Sequence, residues 1–293
     1  MPPTTRLRYQ LPLGLFMAIL QSVLPDQNVS AEVSVQPIAD RIEQVTFDSK
    51  ALGSRKHFCV VLPQKYDADK QDWPVLYLLH GRGRNDRSLI DNEMARRILL
   101  DALFVTVLAN GEDGWYLDSP VLPSHRYSEL LKETIRVAES KYRLSRNPSR
   151  RGITGWSMGG YGCLRHALAN PNEFSFVATM VGLLDFPRSG LPKGQTYQVP
   201  TKYFGSDESV WQTLNPIKDA EKLRGANILL ITANEAFDRT MNENMHNKLQ
   251  ELKIDHDWVV LKGGHTFDVV VAALPQVTAS YEATLRRNGV LPK

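Results

Sequence analysis

The hexapeptide GWSMGG at residues 155–160 determines how the rest of the chain is interpreted. It follows a short apolar segment and opens a stretch with helical spacing, which places Ser157 on a strand–turn–helix corner. A serine hydroxyl is a weak nucleophile and must be presented to a base on a tight, exposed turn. Glycines two positions before and after the serine remove side chains that would collide in such a turn. The motif predicts a nucleophilic Ser157; the alternative is a glycine-rich helix start that packs closely on a sheet.

Apolar runs and helical patterns alternate on both sides of this motif. Such alternation favours a mostly parallel sheet with helices on both faces, so we predict an α/β fold, the three-layer sandwich of the α/β hydrolases. The predicted strands are residues 42–47, 57–62, 75–79, 104–108, 152–155, 176–181, 228–232 and 258–261, the first two forming an antiparallel hairpin at a sheet edge. The predicted helices are residues 89–103, 127–142, 161–169, 241–252 and 266–287, the last bent or broken at Pro275.

One segment departs from this alternation. Residues 182–226 contain four prolines and no clear periodicity, and we interpret them as an irregular insertion near the substrate. The chain shows no internal repeat and no low-complexity stretch. The sequence therefore predicts a single catalytic domain over residues 32–293.

A second glycine-containing motif, HGRG at residues 80–83, follows the buried apolar run 75–79. Hydrolases of this fold stabilise the oxyanion with two backbone N–H groups, one from the residue after the nucleophile and one from this earlier loop. By position these donors are Met158 and Arg82. The alternative is a glycine turn without a role.

The general base should follow the last strand, where the sequence reads GGH at residues 263–265. His265 is the histidine that comes late enough in the chain and lies in a loop. Of its competitors, His246 falls within a helix among polar residues, which predicts a surface role. His256 is flanked by two aspartates and is predicted to be a solvated turn residue.

The acid that orients the histidine should lie just beyond the strand 228–232. Glu235 and Asp238 both qualify. We favour Asp238, although it could equally cap the helix that follows. If neither residue serves, Asp185 at the end of the preceding strand is the next candidate.

The N-terminus has the pattern of an export signal. Arg6 and Arg8 precede an apolar core at residues 11–24, and Val29-Ser30-Ala31 follows, with small residues at the two positions that signal peptidase recognises. This core is shorter than the ~20 residues of a membrane span. We predict a signal peptide at 1–31, export to the periplasm or the extracellular space, and no stable membrane insertion after cleavage.

Composition restricts the partners. A net charge of +3, from 35 basic and 32 acidic residues without a basic block, gives no reason to expect nucleic acid. Cys59 and Cys163 have no spaced histidine partners, so no metal site is predicted. They could form one disulfide in an oxidising compartment, or stay as buried free thiols. No pattern predicts an oligomeric state.

Taken in order, the segments LYLLHGRG, GITGWSMGGYG, NILLITANEAFD and LKGGHTF resemble the putative esterase family. That family includes feruloyl and acetylxylan esterases, S-formylglutathione hydrolase and the mycobacterial mycolyltransferases, and the resemblance extends over about residues 40–285. It implies a lightly capped sheet, a Ser-His-acid triad, no cofactor and a carboxylic ester substrate. One departure concerns the acid: the family commonly has a glycine at the end of the acid strand and an aspartate three residues later, where this chain has Ala233 and Ala236.

Substrate choice rests on weaker signals. Six aromatic residues could line a cleft for a sugar or a phenolic acyl group, or could simply pack in the core or a lid: Trp115, Tyr116, Trp156, Tyr197, Tyr203 and Trp211. By analogy, an exported esterase with such residues fits an acylated or feruloylated polysaccharide, or a small-molecule ester. Two alternatives remain open: an acyltransferase on the same scaffold, and a catalytically silent binding protein.

Overall fold

The computed structural model describes residues 33–67, 71–190 and 198–292. These residues form one nine-stranded, mostly parallel sheet, which confirms the α/β prediction. The strands are β1 (Ser34–Ala39), β2 (Ile42–Ser49), β3 (Ser54–Val61), β4 (Val75–Leu79), β5 (Val105–Ala109), β6 (Arg151–Trp156), β7 (Phe176–Met180), β8 (Asn227–Ala233) and β9 (Asp257–Leu261).

The strand order across the sheet is β1-β2-β3-β5-β4-β6-β7-β8-β9. Pairs involving the first three strands are antiparallel, whereas β5, β4 and β6 to β9 are mutually parallel. After β4 the chain forms β5 on one side of β4, and it then crosses back to form β6 on the other side of β4. This reversal opens a crevice at the carboxyl ends of β4 and β6, where α/β proteins usually bind ligands.

Helices cover both faces of the sheet, each over its own apolar cluster. The helices α2, α3 and α6 contribute buried side chains to one cluster, and α1 and α7 contribute to the other. The helices are α1 (Glu93–Asp101), α2 (Tyr127–Lys141), α3 (Met158–Ala169), α4 (Thr201–Phe204), α5 (Glu208–Leu214), α6 (Arg239–Glu251) and α7 (Phe267–Arg287), with 3-10 turns at Pro148–Arg150 and Pro216–Leu223.

Burial on both faces explains why apolar runs form the central strands of this sheet. Every residue of β4, β5, β6 and β7 is buried. A strand that is covered on both faces needs no polar side, so its sequence shows no alternation. The peripheral strand β2 does alternate: Val45 and Phe47 are buried, with Thr46 between them half-buried.

The predicted hairpin is present, but it does not form the sheet edge. The strands β2 and β3 pair antiparallel, and β1 lies outside them as the true edge strand. No sequence pattern predicted β1, because its residues are mostly exposed and include Pro37. Proline lacks an N–H to donate, so strands tolerate it at edges, and here the pairing shifts register between Pro37 and Ala39.

Of the bend or break expected at Pro275, the break is absent. The helix α7 runs from Phe267 to Arg287 with Pro275 inside it. An interior proline costs a helix about 3 kcal/mol. Leu274, Val277 and Tyr281 are fully buried around that position. Their packing on the sheet offsets the local cost, which a sequence pattern does not reveal.

The segment 182–226 is more ordered than an irregular insertion. Its described part contains α4, α5 and the 3-10 turn Pro216–Leu223. These helical pieces are too short to produce a periodic pattern in the sequence, and prolines interrupt the segment. Phe204 at the end of α4 is fully buried against Trp115, with ring centroids 5.1 Å apart. The segment therefore packs onto the domain.

The two cysteines are not paired. Cys59 and Cys163 are free and buried, in β3 and α3 respectively. Burial raises the pKa of both thiols. Of the two possibilities that the sequence left open, the structure selects buried free thiols.

The predicted signal peptide at 1–31 lies outside the described residues. None of the helices in the described part of the chain has both the length and the apolar character needed to cross a bilayer.

Candidate active site

The candidate site lies at the crevice between the carboxyl ends of β4 and β6. Ser157 directly follows β6 and immediately precedes α3. The HGRG loop at 80–83 directly follows β4. Because these parallel strands are neighbours, the two motifs from distant parts of the sequence meet at one sheet edge.

The turn that carries Ser157 is strained. Its backbone has φ 54° and ψ −119°, a conformation that residues with a side chain rarely adopt. The flanking glycines are needed for space: a Cβ on Gly155 would lie 2.3 Å from the Gly159 carbonyl oxygen, and one on Gly159 would lie 2.2 Å from that of Leu79. The glycine pattern in the motif is therefore steric in origin.

His265 reaches this serine from the loop before α7. Its Nε2 lies 2.9 Å from Ser157 Oγ. The loop is tied to the one after β8, since Glu235 N–H donates to the Gly263 carbonyl at 2.8 Å and Gly263 N–H donates to Asn234 Oδ1 at 2.8 Å. These bonds set the position from which the imidazole extends.

Asp238 lies on the other side of the imidazole. Its Oδ1 is 2.6 Å from His265 Nδ1, and the residue is completely buried. Its second oxygen, Oδ2, accepts from Thr232 Oγ1 at 2.9 Å and from Asn242 Nδ2 at 2.8 Å. A buried carboxylate requires such partners, and here they also fix its orientation.

The other acid candidates have different surroundings. Glu235 is exposed, and it contacts the histidine loop through its backbone N–H. Asp185 accepts from Asn215 Nδ2 at 2.7 Å and from Asn244 Nδ2 at 2.8 Å. Asp185 thus joins the segment 182–226 to α6, and the structure brings Asp238 rather than either alternative to His265.

The oxyanion donors expected from the sequence lie beside the serine. Met158 is the first residue of α3, so its N–H has no acceptor within the helix. The loop of Arg82 approaches Ser157 closely, because a Cβ on Gly81 would lie 3.1 Å from Ser157 Cβ. Both backbone segments can therefore face an oxygen bound at the serine.

The remaining late histidines form a pair of their own. His246 Nδ1 lies 2.7 Å from His256 Nε2, and the His246 ring stacks on Trp258 with centroids 4.8 Å apart. Both histidines are half-buried. Both are therefore less exposed than predicted, since the sequence indicated a surface position for one and a solvated turn for the other. The reason is that the two histidines cover one another and Trp258.

One cavity contains the serine, and a second cavity shares Arg84 with it. The smaller, about 160 Å³, is lined by Ser157 and His265 together with the apolar side chains of Trp156, Val181, Phe267 and Val270. The larger, about 470 Å³, is lined by Glu112, Asp113, His125, Tyr127 and Tyr203. Arg84 borders both cavities, and its guanidinium lies 4.3 Å from the Phe267 ring centroid.

Aromatic residues predicted for a cleft divide into two groups. Trp156 lines the smaller cavity and Tyr203 the larger. Trp115 and Tyr116 are buried in the core. Trp211 packs partly against the same core, with Nε1 donating to the Gly205 carbonyl at 2.9 Å. Tyr197 lies outside the described residues.

Several residues around the site were not found from the sequence. Phe267 and Val270 line the smaller cavity, and Asn242 and Thr232 hold Asp238. For Asn242 a signal existed: it comes four residues after Asp238, a spacing that places the two on one helix face. Within the described residues, no group of three or more His, Cys, Asp and Glu side chains is arranged to hold a metal ion.

Comparison with protein families finds one match. A family model described as "Putative esterase" matches residues 49–281. An acetyl esterase of Caldicellulosiruptor saccharolyticus is 26% identical over 247 residues, which cover 78% of this chain and 92% of that protein. The esterase Rv1288 of Mycobacterium tuberculosis is 23% identical over 259 residues and 78% of this chain; the chain spans 56% of that protein's length.

Solved structures share the fold. The Staphylococcus aureus fluorophosphonate-binding serine hydrolase FphF superposes with a TM-score of 0.73 at 17% identity, over 82% of this chain and 97% of that one. A ferulic acid esterase gives a TM-score of 0.70 at 21% identity, over the same shares. At these identities the likeness concerns the fold.

Proposed function

The chain belongs to the putative esterase family, and we propose that Ser157, His265 and Asp238 perform its hydrolysis of a carboxylic ester. As a family member it is a serine carboxylic-ester hydrolase. The observation that carries the residue assignment is a continuous hydrogen-bonded path. It runs from Asp238 Oδ1 to His265 Nδ1 over 2.6 Å, and from His265 Nε2 to Ser157 Oγ over 2.9 Å.

Each residue in this path has a distinct role. His265 Nε2 takes the hydroxyl proton as Ser157 Oγ attacks the ester carbonyl, and it then gives that proton to the departing alcohol. An acyl group remains on Ser157. Water, deprotonated by the same nitrogen, attacks the acyl carbon, and the imidazolium returns that proton to Ser157 Oγ as the carboxylic acid is released. Asp238 accepts a hydrogen bond from the Nδ1–H of the imidazole, which holds the ring in the required tautomer and stabilises its cation.

The negative charge on the carbonyl oxygen needs donors during both attacks. The N–H groups of Met158 and Arg82 would supply them. Their backbone is held before the reaction by α3 and by the loop after β4, so little reorganisation is required. Removing one such donor in enzymes of this kind lowers turnover by about 10²–10³-fold.

Replacement of Ser157 by alanine tests the nucleophile. We expect Ser157→Ala to lower the turnover of p-nitrophenyl acetate by about 10⁶-fold, because the triad acts as a unit. A fluorophosphonate probe should label the wild type at Ser157 and leave this variant unlabelled. Ser149→Ala, at the opposite end of β6, is the matched control and should behave as wild type. Retention of a tenth of the activity in Ser157→Ala would exclude Ser157 as the nucleophile.

The two cavities support a substrate with a short acyl group on a polar alcohol. The smaller cavity, about 160 Å³, contains the serine, and its lining combines four apolar side chains with Arg82, Arg84, His265 and Thr266. An engineered protein cavity of about 150 Å³ holds one benzene ring. We infer that an acetyl or similarly short acyl group occupies this space. A feruloyl group would have to extend beyond it.

The larger cavity supports a hydroxyl-rich alcohol such as a sugar. Glu112, Asp113 and Tyr127 offer polar atoms, and Tyr203 offers a ring face backed by His125 at a centroid distance of 4.3 Å. Carboxylates accept hydrogen bonds from hydroxyl groups, and an amphipathic ring provides a platform for an alcohol of this type. Acylated carbohydrate is therefore the substrate class that we propose.

A series of esters tests this assignment. The value of kcat/KM should fall from p-nitrophenyl acetate to the octanoate and should be low for methyl ferulate. Tyr203→Leu should raise KM for an acetylated oligosaccharide by about tenfold, which corresponds to a loss of ~1.4 kcal/mol. The effect on KM for p-nitrophenyl acetate should be much smaller. Equal effects on both esters, or a preference for octanoate, would contradict the proposal.

A further inference from the structure

His80 connects β4 to the loop that carries Arg82, and both nitrogens of its ring are engaged. The residue is 1% exposed. Its Nδ1 lies 2.8 Å from the Gly81 carbonyl oxygen, and its Nε2 accepts from Gly111 N–H at 3.0 Å. The proposed mechanism uses only the backbone of this motif, and it assigns no role to the imidazole of His80.

These contacts determine the tautomer of His80. The Gly81 carbonyl can only accept, so Nδ1 must carry the proton, and Nε2 must then be unprotonated to accept from Gly111. The opposite tautomer would donate from Nε2 to Asn110 Oδ1, which is 3.3 Å away. It would, however, leave an unprotonated Nδ1 2.8 Å from the Gly81 carbonyl oxygen, so that two acceptors face each other. It would also point the Nε2 proton at the Gly111 N–H, so that two donors face each other. Burial lowers the pKa of His80, which agrees with a neutral ring.

The bond to the Gly81 carbonyl has a consequence for the next residue. The Gly81 carbonyl and the Arg82 N–H belong to one planar trans peptide, so the two groups point in opposite directions. Tying the carbonyl oxygen to His80 therefore turns the Arg82 N–H away from the imidazole. The same segment lies against the nucleophile, since a Cβ on Gly81 would meet Ser157 Cβ at 3.1 Å.

The imidazole is itself firmly held. His80 N–H donates to Tyr116 Oη at 3.0 Å, which fixes the backbone at the start of the loop. The ring contacts Tyr116 and Trp156 edge-on, with centroids 5.9 and 6.4 Å away. The Gly81 carbonyl also accepts from Arg84 N–H at 3.2 Å, so the shorter bond from His80 acts together with this turn to define the plane of the following peptide.

We propose that His80 is a positioning residue, whose Nδ1–H holds the Gly81 carbonyl so that the Arg82 N–H is oriented as an oxyanion donor. This inference rests on the proposed function, because it assumes that Arg82 N–H stabilises the oxyanion. His80 touches no reacting atom. Its contribution should therefore appear in the stabilisation of the tetrahedral state and hardly in the binding of the ground-state ester.

Three substitutions separate orientation from folding. In His80→Asn the side-chain amide can take the place of the Nδ1 donor, whereas in His80→Gln the amide reaches the place of Nε2. His80→Leu removes both. We expect kcat to fall about 10- to 100-fold in His80→Leu and His80→Gln, less than the about 10²–10³-fold loss for a missing donor. KM should change little, and His80→Asn should recover most of the lost kcat.

An arylboronic acid gives a readout that a purely structural role would not move. It forms a tetrahedral adduct on the serine, so its inhibition constant should rise in parallel with the fall in kcat/KM across the three variants. His166→Leu is the matched control, because His166 is another buried histidine, at the far end of α3 from Ser157. We expect it to retain wild-type kcat and boronate affinity.

The outcomes distinguish this inference from the function on which it rests. If the fluorophosphonate probe does not label wild-type Ser157, the proposed function fails. If it does, and His80→Asn and His80→Gln have equal kcat values and equal boronate affinities, the positioning role is overturned. The comparison of these two variants decides the question even if His80→Leu does not fold.

Discussion

Asp238 uses its two carboxylate oxygens in different directions. Oδ1 meets His265 Nδ1 at 2.6 Å, while Oδ2 accepts from Thr232 and Asn242. Asn242 also donates to the Gly182 carbonyl at 2.7 Å. A buried carboxylate is costly without such partners. The site thus obtains a fixed acid from groups that themselves do not reach the serine.

The acid can be tested by two amide substitutions. We expect Asp238→Asn to lower kcat by up to about 10⁴-fold, because the amide can stabilise the wrong imidazole tautomer. Glu235→Gln should stay within about twofold of wild type, since Glu235 is exposed and its backbone makes the contact with the histidine loop. Both variants are measured on p-nitrophenyl acetate, with circular dichroism to verify folding. The reverse ranking would assign the role to Glu235.

At the scale of elements, the site depends on how closely α3 approaches the end of β4. Gly159, in the first turn of α3, lies so near the strand that a Cβ would be 2.2 Å from the Leu79 carbonyl oxygen. One residue later, a Cβ on Gly160 would lie 2.7 Å from Gly182 Cα. The small residues of the motif therefore let one helix contact both neighbouring loops.

This close approach predicts a large effect of a single methyl group. Gly159→Ala places the methyl against backbone atoms that cannot rotate away, so we expect a loss of about 3 kcal/mol in the free energy of unfolding. Urea denaturation followed by circular dichroism would measure it.

Gly264→Ala is the matched control for this substitution. Its Cβ would find its nearest neighbours at 3.9 Å, an ordinary contact distance, and stability should change by no more than about 0.5 kcal/mol. A loss of less than about 1 kcal/mol in Gly159→Ala would contradict the close approach of α3 to β4.

A second element-scale feature anchors the segment 182–226. The buried carboxylate of Asp185 accepts from Asn215, which ends α5, and from Asn244 in α6. Arg188 adds an ion pair at 3.1 Å. This polar junction keeps the segment against α6, the helix that begins directly after Asp238.

At the scale of the whole molecule, we propose that the chain is exported and processed. The pattern of residues 1–31 motivates this proposal, and β1 begins at Ser34, shortly after the expected cleavage position. Expressed with its own N-terminus in a bacterial host, the protein should be recovered outside the cytosol with a chain that starts near Glu32. Intact-mass analysis would identify that terminus, and an uncleaved chain starting at Met1 in the cytosol would refute the proposal.

The sequence by itself determined the class of fold and predicted where the proposed nucleophile and base lie in the chain. Fully apolar runs predicted buried parallel strands, because a strand covered on both faces has no polar side. The GWSMGG motif identified the turn of Ser157, because only glycine fits at 155 and 159. A Cβ at either position would lie 2.2–2.3 Å from a backbone carbonyl oxygen. These signals are local, so they are readable without neighbours that are distant in sequence.

The tertiary structure alone decided between alternatives that depend on such distant neighbours. Asp238 and Glu235 are three residues apart and equally acidic, and only the path of the loop after β8 brings Asp238 to His265. Packing likewise kept α7 intact through Pro275 and left both cysteines unpaired. In each case the outcome depends on contacts between segments far apart in the chain, and a linear pattern carries no information about those contacts.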